Sequence, residues 1–327
     1  MAGLVTIFGG SGFLGRHIAR RLAKEGWRVR VAVREVAAAG FVRQYGVVGQ
    51  VMPVFCNIRD DDSVAAALAG ADAAINCVGI LADNGRNTLK AINEDGAARI
   101  ARVSKEMGIK HLVHLSGLGA DADSESSYLR TKADGEQAVR EIFPGAMILR
   151  PAPLFGPDDT FFNRLGNMAR MLPVIPLPKQ HTRLQPVYVD DVAAAAALGA
   201  SGRAPGGTYA LGGPEVMTQR EVMEAICTLI RRRRVLFGLP DWLARPVAWA
   251  GGIVQVLSLG IIKAPITSDE LRALSSDSVV PEGAKGFAEL GLTPTAMEVV
   301  LPSYMWRFRP SGQYLAIKDS AKGLRKS

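Results

Sequence analysis

Short apolar runs alternate with amphipathic stretches over the first 150 residues. LVTIF (4–8), RVRVAV (28–33), VMPVF (51–55), AAINCVG (73–79), KHLVHLS (110–116) and AMILR (146–150) read as strands. Between them, LGRHIARRLAKEG (14–26), DSVAAALAGA (62–71), NEDGAARIARVSKEMG (93–108) and SYLRTKADGEQAVREI (127–142) carry helical spacing. Ile18, Ala19 and Leu22 form the inward stripe of the first helix and Gly26 ends it; Asp62 or Ser63 is the expected cap of the second. Strands that are apolar throughout, each followed by a helix, predict an α/β fold with a doubly wound parallel sheet and helices on both faces.

Past residue 150 the alternation weakens. PAPLFGP and LPVIPLP are rich in proline, PVYVDDVAAAAALGA predicts a short strand entering an alanine-rich helix, and GTYALGG before TQREVMEAICTLI predicts a late strand and a capped helix. The expected organisation is a core over 1–150, with further strands and helices from 151–230, and a smaller mixed C-terminal lobe over 151–327. Within that lobe, RRRR (231–234) precedes a run without charge, 247–262. The run is short of the roughly 20 apolar residues that span a bilayer. Trp249, Ile253, Val256 and Leu257 share one face, which fits a buried helix. Flanking Arg245 and Lys263 equally fit an interfacial segment, so 231–265 is a candidate apolar and basic docking segment.

Composition narrows the partners. The 327 residues are 48% hydrophobic with a net charge of +8, enough apolar material for a large core and enough cation to favour an anionic membrane or an acidic partner. The basic residues are not interleaved with aromatics in a nucleic-acid motif, so nucleic acid is not expected. Cys56, Cys77 and Cys227 are too few and scattered for a disulfide framework, and with His17, His111, His114 and His181 they show no metal-ligand spacing. A structural metal is not expected, and the compartment is expected to be reducing. The first strand begins almost at once, which predicts a chain without a leader, as in a bacterial cytoplasmic protein.

FGGSGFLGR (8–16) joins the first strand to the first helix. Gly9 permits a tight turn, Gly12 lets backbone approach a pyrophosphate, and Gly15 lets helix pack on strand; Phe13, Leu14 and Arg16 complete the helix start. A helix N-terminus offers amides to phosphate. The context is that of a Rossmann dinucleotide site. After the second strand stands Arg34 where an NAD site usually has an acid. A guanidinium pairs with a 2′-phosphate, and Arg16 adds a second cation, so NADP(H) is favoured over NAD(H). Glu35 is expected to point away.

These residues resemble the extended and atypical short-chain dehydrogenase/reductase superfamily over roughly 3–230. CNI (56–58) stands where that family meets adenine, which implies contacts from Asn57 and Ile58; NCVG (76–79) resembles its cofactor loop, implying Cys77, Val78 and Gly79; Asn93 matches a helix asparagine. RPAPLFGPDD (150–159) resembles the segment reaching the nicotinamide, implying Pro151 and Leu154. Ser116, Tyr128 and Lys132 match the catalytic Ser and YxxxK. YLRTKADGEQAVREIFPGAMILRPAPLFGPDDTFFNRL, ITSDELRALSSDSVV and LPSYMWRFR are similar to the NADPH-binding accessory subunits of respiratory complex I, the alpha subcomplex subunit nine family of NADH:ubiquinone oxidoreductase. That resemblance implies a tightly held, structural NADPH. It also implies other complex I subunits as partners and peripheral docking near the ubiquinone site. For a bacterial chain the place is the cytoplasmic face of the inner membrane.

In a working reductase Tyr128 would protonate a carbonyl oxygen, Lys132 would hold the ribose and lower the phenol pKa, and Ser116 would orient substrate. The same residues suffice to hold the nicotinamide ribose without turnover. Three readings follow: a non-catalytic NADPH-bearing subunit in the electron-transport chain, a free NADPH-dependent reductase or sugar-nucleotide epimerase, and a regulator responsive to the NADP(H) ratio.

Overall fold

The computed structural model describes residues 3–240, 242, 243, 246, 268–310 and 312–314. The chain divides into two units. One takes the chain up to Ala152 with Val189–Gly212 and Val280–Pro294; the other takes Pro153–Tyr188, Gly213–Val279 and the chain from Thr295.

The first unit is a seven-stranded parallel sheet. Its strands are β1 (Leu4–Phe8), β2 (Arg28–Val33), β3 (Val51–Phe55), β4 (Ala73–Asn76), β5 (His111–Leu115), β6 (Met147–Pro151) and the late strand Gly207–Leu211. From one edge the order is Gly207–Leu211, β6, β5, β4, β1, β2, β3. The chain leaves β1 toward β2 on one side and β4 lies on the other, so the order reverses between β1 and β4. Ligands of open α/β sheets bind outside the strand C-termini at such a point. Val5, Ile7, Val31, Ile75, Val113, Ile148 and Leu149 are buried on both faces, which is why these strands carry continuous rather than alternating apolar residues.

Helices α1 (Phe13–Lys24), α2 (Asp61–Leu68), α3 (Asp95–Glu106) and α4 (Ser127–Ile142) follow the strands. Ile18, Ala19 and Leu22 of α1 are buried as the periodicity requires, Ile18 and Leu22 each contributing roughly 1.5–3 kcal/mol. The cap of α2 differs from the expectation: Asp60, not Asp62 or Ser63, accepts from the amides of Asp62 (3.1 Å) and Ser63 (3.5 Å). The helix expected over 93–108 is also two pieces. A π-helical turn, Lys90–Glu94, feeds α3. The alanine-rich helix Val189–Ala200 is buried along most of its length because small residues let its axis lie close on the sheet; a methyl on Gly199 would meet Val113 Cγ2 at 2.9 Å. Arg21 of α1 donates to Asp190 in its first turn at 2.6 Å.

The second unit has its own core, with Phe155, Phe162, Leu165, Ile175, Leu177, Val222, Met223, Ile226, Leu301, Met305 and Phe308 buried together. Its strands form short pairs. LPVIPLP, irregular by composition, yields strand Val174–Pro178, paired in parallel with Val235–Leu239. The helix Gln219–Leu229 starts in a capping box between Thr218 and Glu221. Tyr304 donates to buried Asp159 at 2.8 Å, tying the LPSYMWRFR segment into this core. The apolar run 247–262 lies outside the described residues. Among the described residues no helix is long and apolar enough to cross a membrane, and no cluster of His, Cys, Asp and Glu suits a metal ion.

Candidate dinucleotide site

At the β1/β4 switch point the first unit opens a cavity of about 690 Å³. Of the residues singled out by sequence, Gly9, Gly12, Arg16, Arg34, Asn57, Ile58, Cys77, Val78 and Gly79 line it. Ser11 of the glycine loop lines it too, as do Ala38, Phe41, Ile80, Asn84, Asn87 and Ile92, which carried no motif.

The glycine loop has the geometry that its spacing implies. Gly9 has φ +73°, where a side chain is strained. A methyl on Gly15 would come within 2.7 Å of Gly10 Cα, so Gly15 serves close packing of α1 rather than the cavity lining. Phe13 and Leu14 occupy the same first turn outside the described lining, and Phe13 stacks edge-on against His17 at 5.7 Å. The α1 N-terminus has no side-chain cap and no acid in its first turn, leaving its amides and positive dipole end for an anion.

Arg34 stands exposed at the end of β2. Glu35, expected to point away, is among the residues that line the cavity beside Arg34. Arg16 lies 5.6 Å over the Phe41 ring, a cation–π contact that fixes one cation on the cavity wall. Asn57 is partly engaged: its side-chain oxygen accepts from the Arg59 amide at 3.2 Å and from Arg59 Nε at 3.5 Å. Its amide nitrogen carries two donors.

Gly79 joins this cavity to the Tyr–Lys pair. A methyl there would stand 3.0 Å from Lys132 Nζ. The α4 helix, capped by Ser126, puts Tyr128 and Lys132 on one face at the C-terminal end of β5. Lys132 is buried and donates to the Leu115 carbonyl at 2.9 Å. The Tyr128 hydroxyl lies beside Gly117, 3.5 Å from where a methyl would sit. Ser116 Oγ is buried with no protein partner among the described residues. Asn93, in the π-helical turn, accepts from Ile80 N at 3.0 Å and donates to Ile80 O at 3.1 Å and Thr131 Oγ1 at 3.3 Å, pinning the cavity loop to α4. A methyl on Gly135 would overlap the Asn93 carbonyl, so α4 rides directly on that turn. Pro151 ends β6, where its carbonyl accepts from Leu118 N at 2.9 Å. Leu154 belongs to the second unit.

The charge states depart from the expectation. In a working reductase Lys132 would lower the phenol pKa. Instead burial pushes Tyr128 up to about 12, and the ammonium is turned to the Leu115 carbonyl. Burial also brings Lys132 down to about 8, against the opposing pull of Glu136. Glu136 follows one helical turn after Lys132, is fully buried, and is gripped by Arg150 of β6 through contacts of 2.8, 3.0 and 2.6 Å. His114, buried on β5, shares a 3.2 Å hydrogen bond through Nδ1 with Asn76 Nδ2, and burial holds its pKa down at about 3. An amide NH₂ only donates, so Nδ1 accepts and the proton sits on Nε2, which has no described partner.

These features fit a dinucleotide. The glycine cradle and uncapped α1 suit a pyrophosphate, Arg34 and Arg16 a phosphate or ribose, and Lys132 with orphaned Ser116 Oγ a polar group at the end of β5.

Residues 5–212 match the NAD dependent epimerase/dehydratase family. Over 324 residues the chain is 34% identical to the Arabidopsis thaliana mitochondrial NADH dehydrogenase [ubiquinone] 1 alpha subcomplex subunit 9, covering 95% of this chain and 80% of that one. Over 192 residues it is 34% identical to the ceramide reductase of Caulobacter vibrioides, covering 59% of each. Its fold is similar to the Thermus thermophilus UDP-glucose 4-epimerase complex with NAD, with a TM-score of 0.63 at 18% identity over 94% of this chain and 99% of that one. With a Rossmann sheet of the required strand order and a family match across most of it, the chain belongs to the NAD dependent epimerase/dehydratase family and is a relative of the complex I alpha subcomplex subunit 9 proteins.

Proposed function

We propose that this protein is an accessory subunit of a respiratory NADH:quinone oxidoreductase that holds NADPH as a structural cofactor. The observation that carries the reading is the extent of the similarity. It runs through both units for the complex I subunit but over 59% of the chain for the ceramide reductase. The proposed partners are other complex I subunits and an anionic membrane surface near the quinone site, on the cytoplasmic face of a bacterial inner membrane.

In this reading Gly9 and Gly12 admit the pyrophosphate, and the α1 amides bind it. Arg34 and Arg16 favour the 2′-phosphate. Glu35 opposes that charge, but it is exposed and screened, whereas guanidinium–phosphate pairs are bidentate. Asn57 and Ile58 meet the adenine; Cys77, Val78 and Gly79 pass the pyrophosphate and nicotinamide; Tyr128 and Lys132 hold the nicotinamide ribose. When bound, the nicotinamide supplies hydride chemistry. A phenol held near 12 stays protonated at neutral pH and suits a hydrogen-bond donor rather than a base. A second reading, a free NADPH-dependent reductase, is favoured by the ceramide reductase relative together with the presence of Ser116, Tyr128 and Lys132.

Native electrophoresis of detergent-solubilised membranes tests the first reading. The chain should migrate in a large assembly with flavin and iron–sulfur subunits and carry NADPH into it. Recovery only as a soluble monomer or dimer overturns it. If the purified protein oxidises NADPH against a carbonyl compound and Tyr128→Phe abolishes that turnover, the reductase reading replaces it.

A further inference from the structure

The second unit carries a cationic cavity that the dinucleotide site does not use. It measures about 550 Å³, and its described lining holds five arginines, Arg220 and Arg231 to Arg234, against one carboxylate, Glu224. Glu224 is engaged by Arg220 at 2.9 Å. In the sequence RRRR heads the candidate docking segment 231–265, and the structure organises it. Helix Gln219–Leu229 ends here, and Arg231 turns the chain with φ +56°. Arg232 donates its Nε–H to the Phe308 carbonyl at 2.9 Å, and Arg234 donates its Nε–H to the Ala169 carbonyl at 2.7 Å. Each bond fixes a guanidinium plane through Nε; Arg234 also donates through Nη1 to the Arg233 carbonyl at 3.2 Å, which leaves its Nη2 and the terminal nitrogens of Arg232 to meet an oxyanion. Arg231 and Arg233 alternate with these two and are exposed.

Apolar surface begins where the arginines end. Val235 and Phe237 point outward from strand Val235–Leu239, 64% and 51% exposed. In register beside them, Val174 is 49% exposed, and Met171 just before it is 73% exposed. Val235 N donates to Pro173 O at 3.1 Å, so the apolar strip and the guanidinium groups share one end of the strand pair. A soluble phosphate or nucleotide would need the cations but not this strip. An acidic peptide would need donors and acceptors along the strip rather than bare hydrocarbon. A ligand with a phosphate at one end and acyl chains at the other matches both.

We infer that the cavity lined by Arg231 to Arg234 is a binding site for the phosphate headgroup of an anionic phospholipid, with the acyl chains lying against Met171, Val174, Val235 and Phe237. The inference rests on the membrane docking proposed above and gives it a place in the second unit. Two pinned arginines set the headgroup position, and two exposed ones add attraction of the kind that polybasic segments show toward anionic bilayers.

The test is cosedimentation of the full chain with vesicles of phosphatidylcholine, with and without phosphatidylglycerol. The wild type should bind the phosphatidylglycerol vesicles. The double variant R231E/R233E leaves both pinned arginines in place and should weaken binding on the order of tenfold to a hundredfold. The control R20E/K24E, on an exposed part of α1, makes the same change in net charge and should weaken it by less than about threefold. Equal loss in both variants means unspecific charge attraction and overturns the site. Phe237→Ser should also weaken binding. If it binds as the wild type does and inorganic phosphate competes, the cavity takes a soluble anion and the lipid assignment fails. Vesicle binding and migration with respiratory subunits are separate readouts. Loss of the first with the second intact defeats the headgroup site but leaves the subunit reading standing.

Discussion

The two ends of the dinucleotide cradle are built on opposite physical terms. At the β2 end, Arg34 is exposed, Arg16 lies over an aromatic face and donates through Nε to the Gly12 carbonyl at 3.4 Å, and Glu35 stands beside them. Charges there are hydrated and screened, so they discriminate between ligands while adding little to folding. At the β5 end, Lys132, Glu136, His114 and Ser116 are buried. Charges and tautomers there are fixed by neighbours a few ångströms away, and each change is felt by the fold. On the function proposed above, a cofactor would be selected at one end and held at the other without the two demands competing.

The strongest way to break that contrast is Glu136→Ala. It leaves Arg150 partly buried without its carboxylate, and chemical denaturation should show a loss of about 3–5 kcal/mol. E136L/R150M, which removes both charges, should recover most of it. A loss below about 1 kcal/mol would mean that the β5 end is no more coupled to the fold than the surface is.

Arg34→Asp probes the other end. The ratio of NADPH to NADH affinity, read by fluorescence titration, should fall on the order of tenfold or more, with the unfolding midpoint unchanged. Equal weakening of both cofactors would show that Arg34 does not meet the 2′-phosphate.

The smallest expected effect is in the pH dependence set by His114. Its folded pKa, about 3, lies below the ordinary 6.5. Between those values the unfolded chain binds a proton that the folded chain refuses, so stability is full above pH 6.5 and falls as the pH drops. Between pH 6.5 and about 5 the loss should be about 1.5 kcal/mol, and His114→Gln should flatten it. An unaltered slope in that variant would place the titration elsewhere.

Much of the first unit was legible because its signals are local. The strand at 4–8, the glycine spacing after it and the buried stripe of α1 each depend on residues a turn or a pleat apart. The Tyr128–Lys132 spacing was readable for the same reason. Glu136 and Arg150 stand in the same quoted stretch, but nothing local says that a helix residue and a strand residue will form a buried pair. Phe41 under Arg16 depends on a short helical turn, Gly40–Tyr45, brought back to α1 by the sheet. The proline-rich LPVIPLP resisted reading because its strand partner, Val235–Leu239, lies some 60 residues on.

By itself the sequence determined the α/β class, the glycine loop between β1 and α1 and the shared helix face of Tyr128 and Lys132, because periodicity and helix spacing are properties of neighbours along the chain. Only the tertiary structure decided the strand order that opens the cavity between β1 and β4. It decided too that Lys132 faces the Leu115 carbonyl and that Tyr128 is held near 12 rather than lowered. Those outcomes follow from burial, which depends on what distant segments bring to the same place.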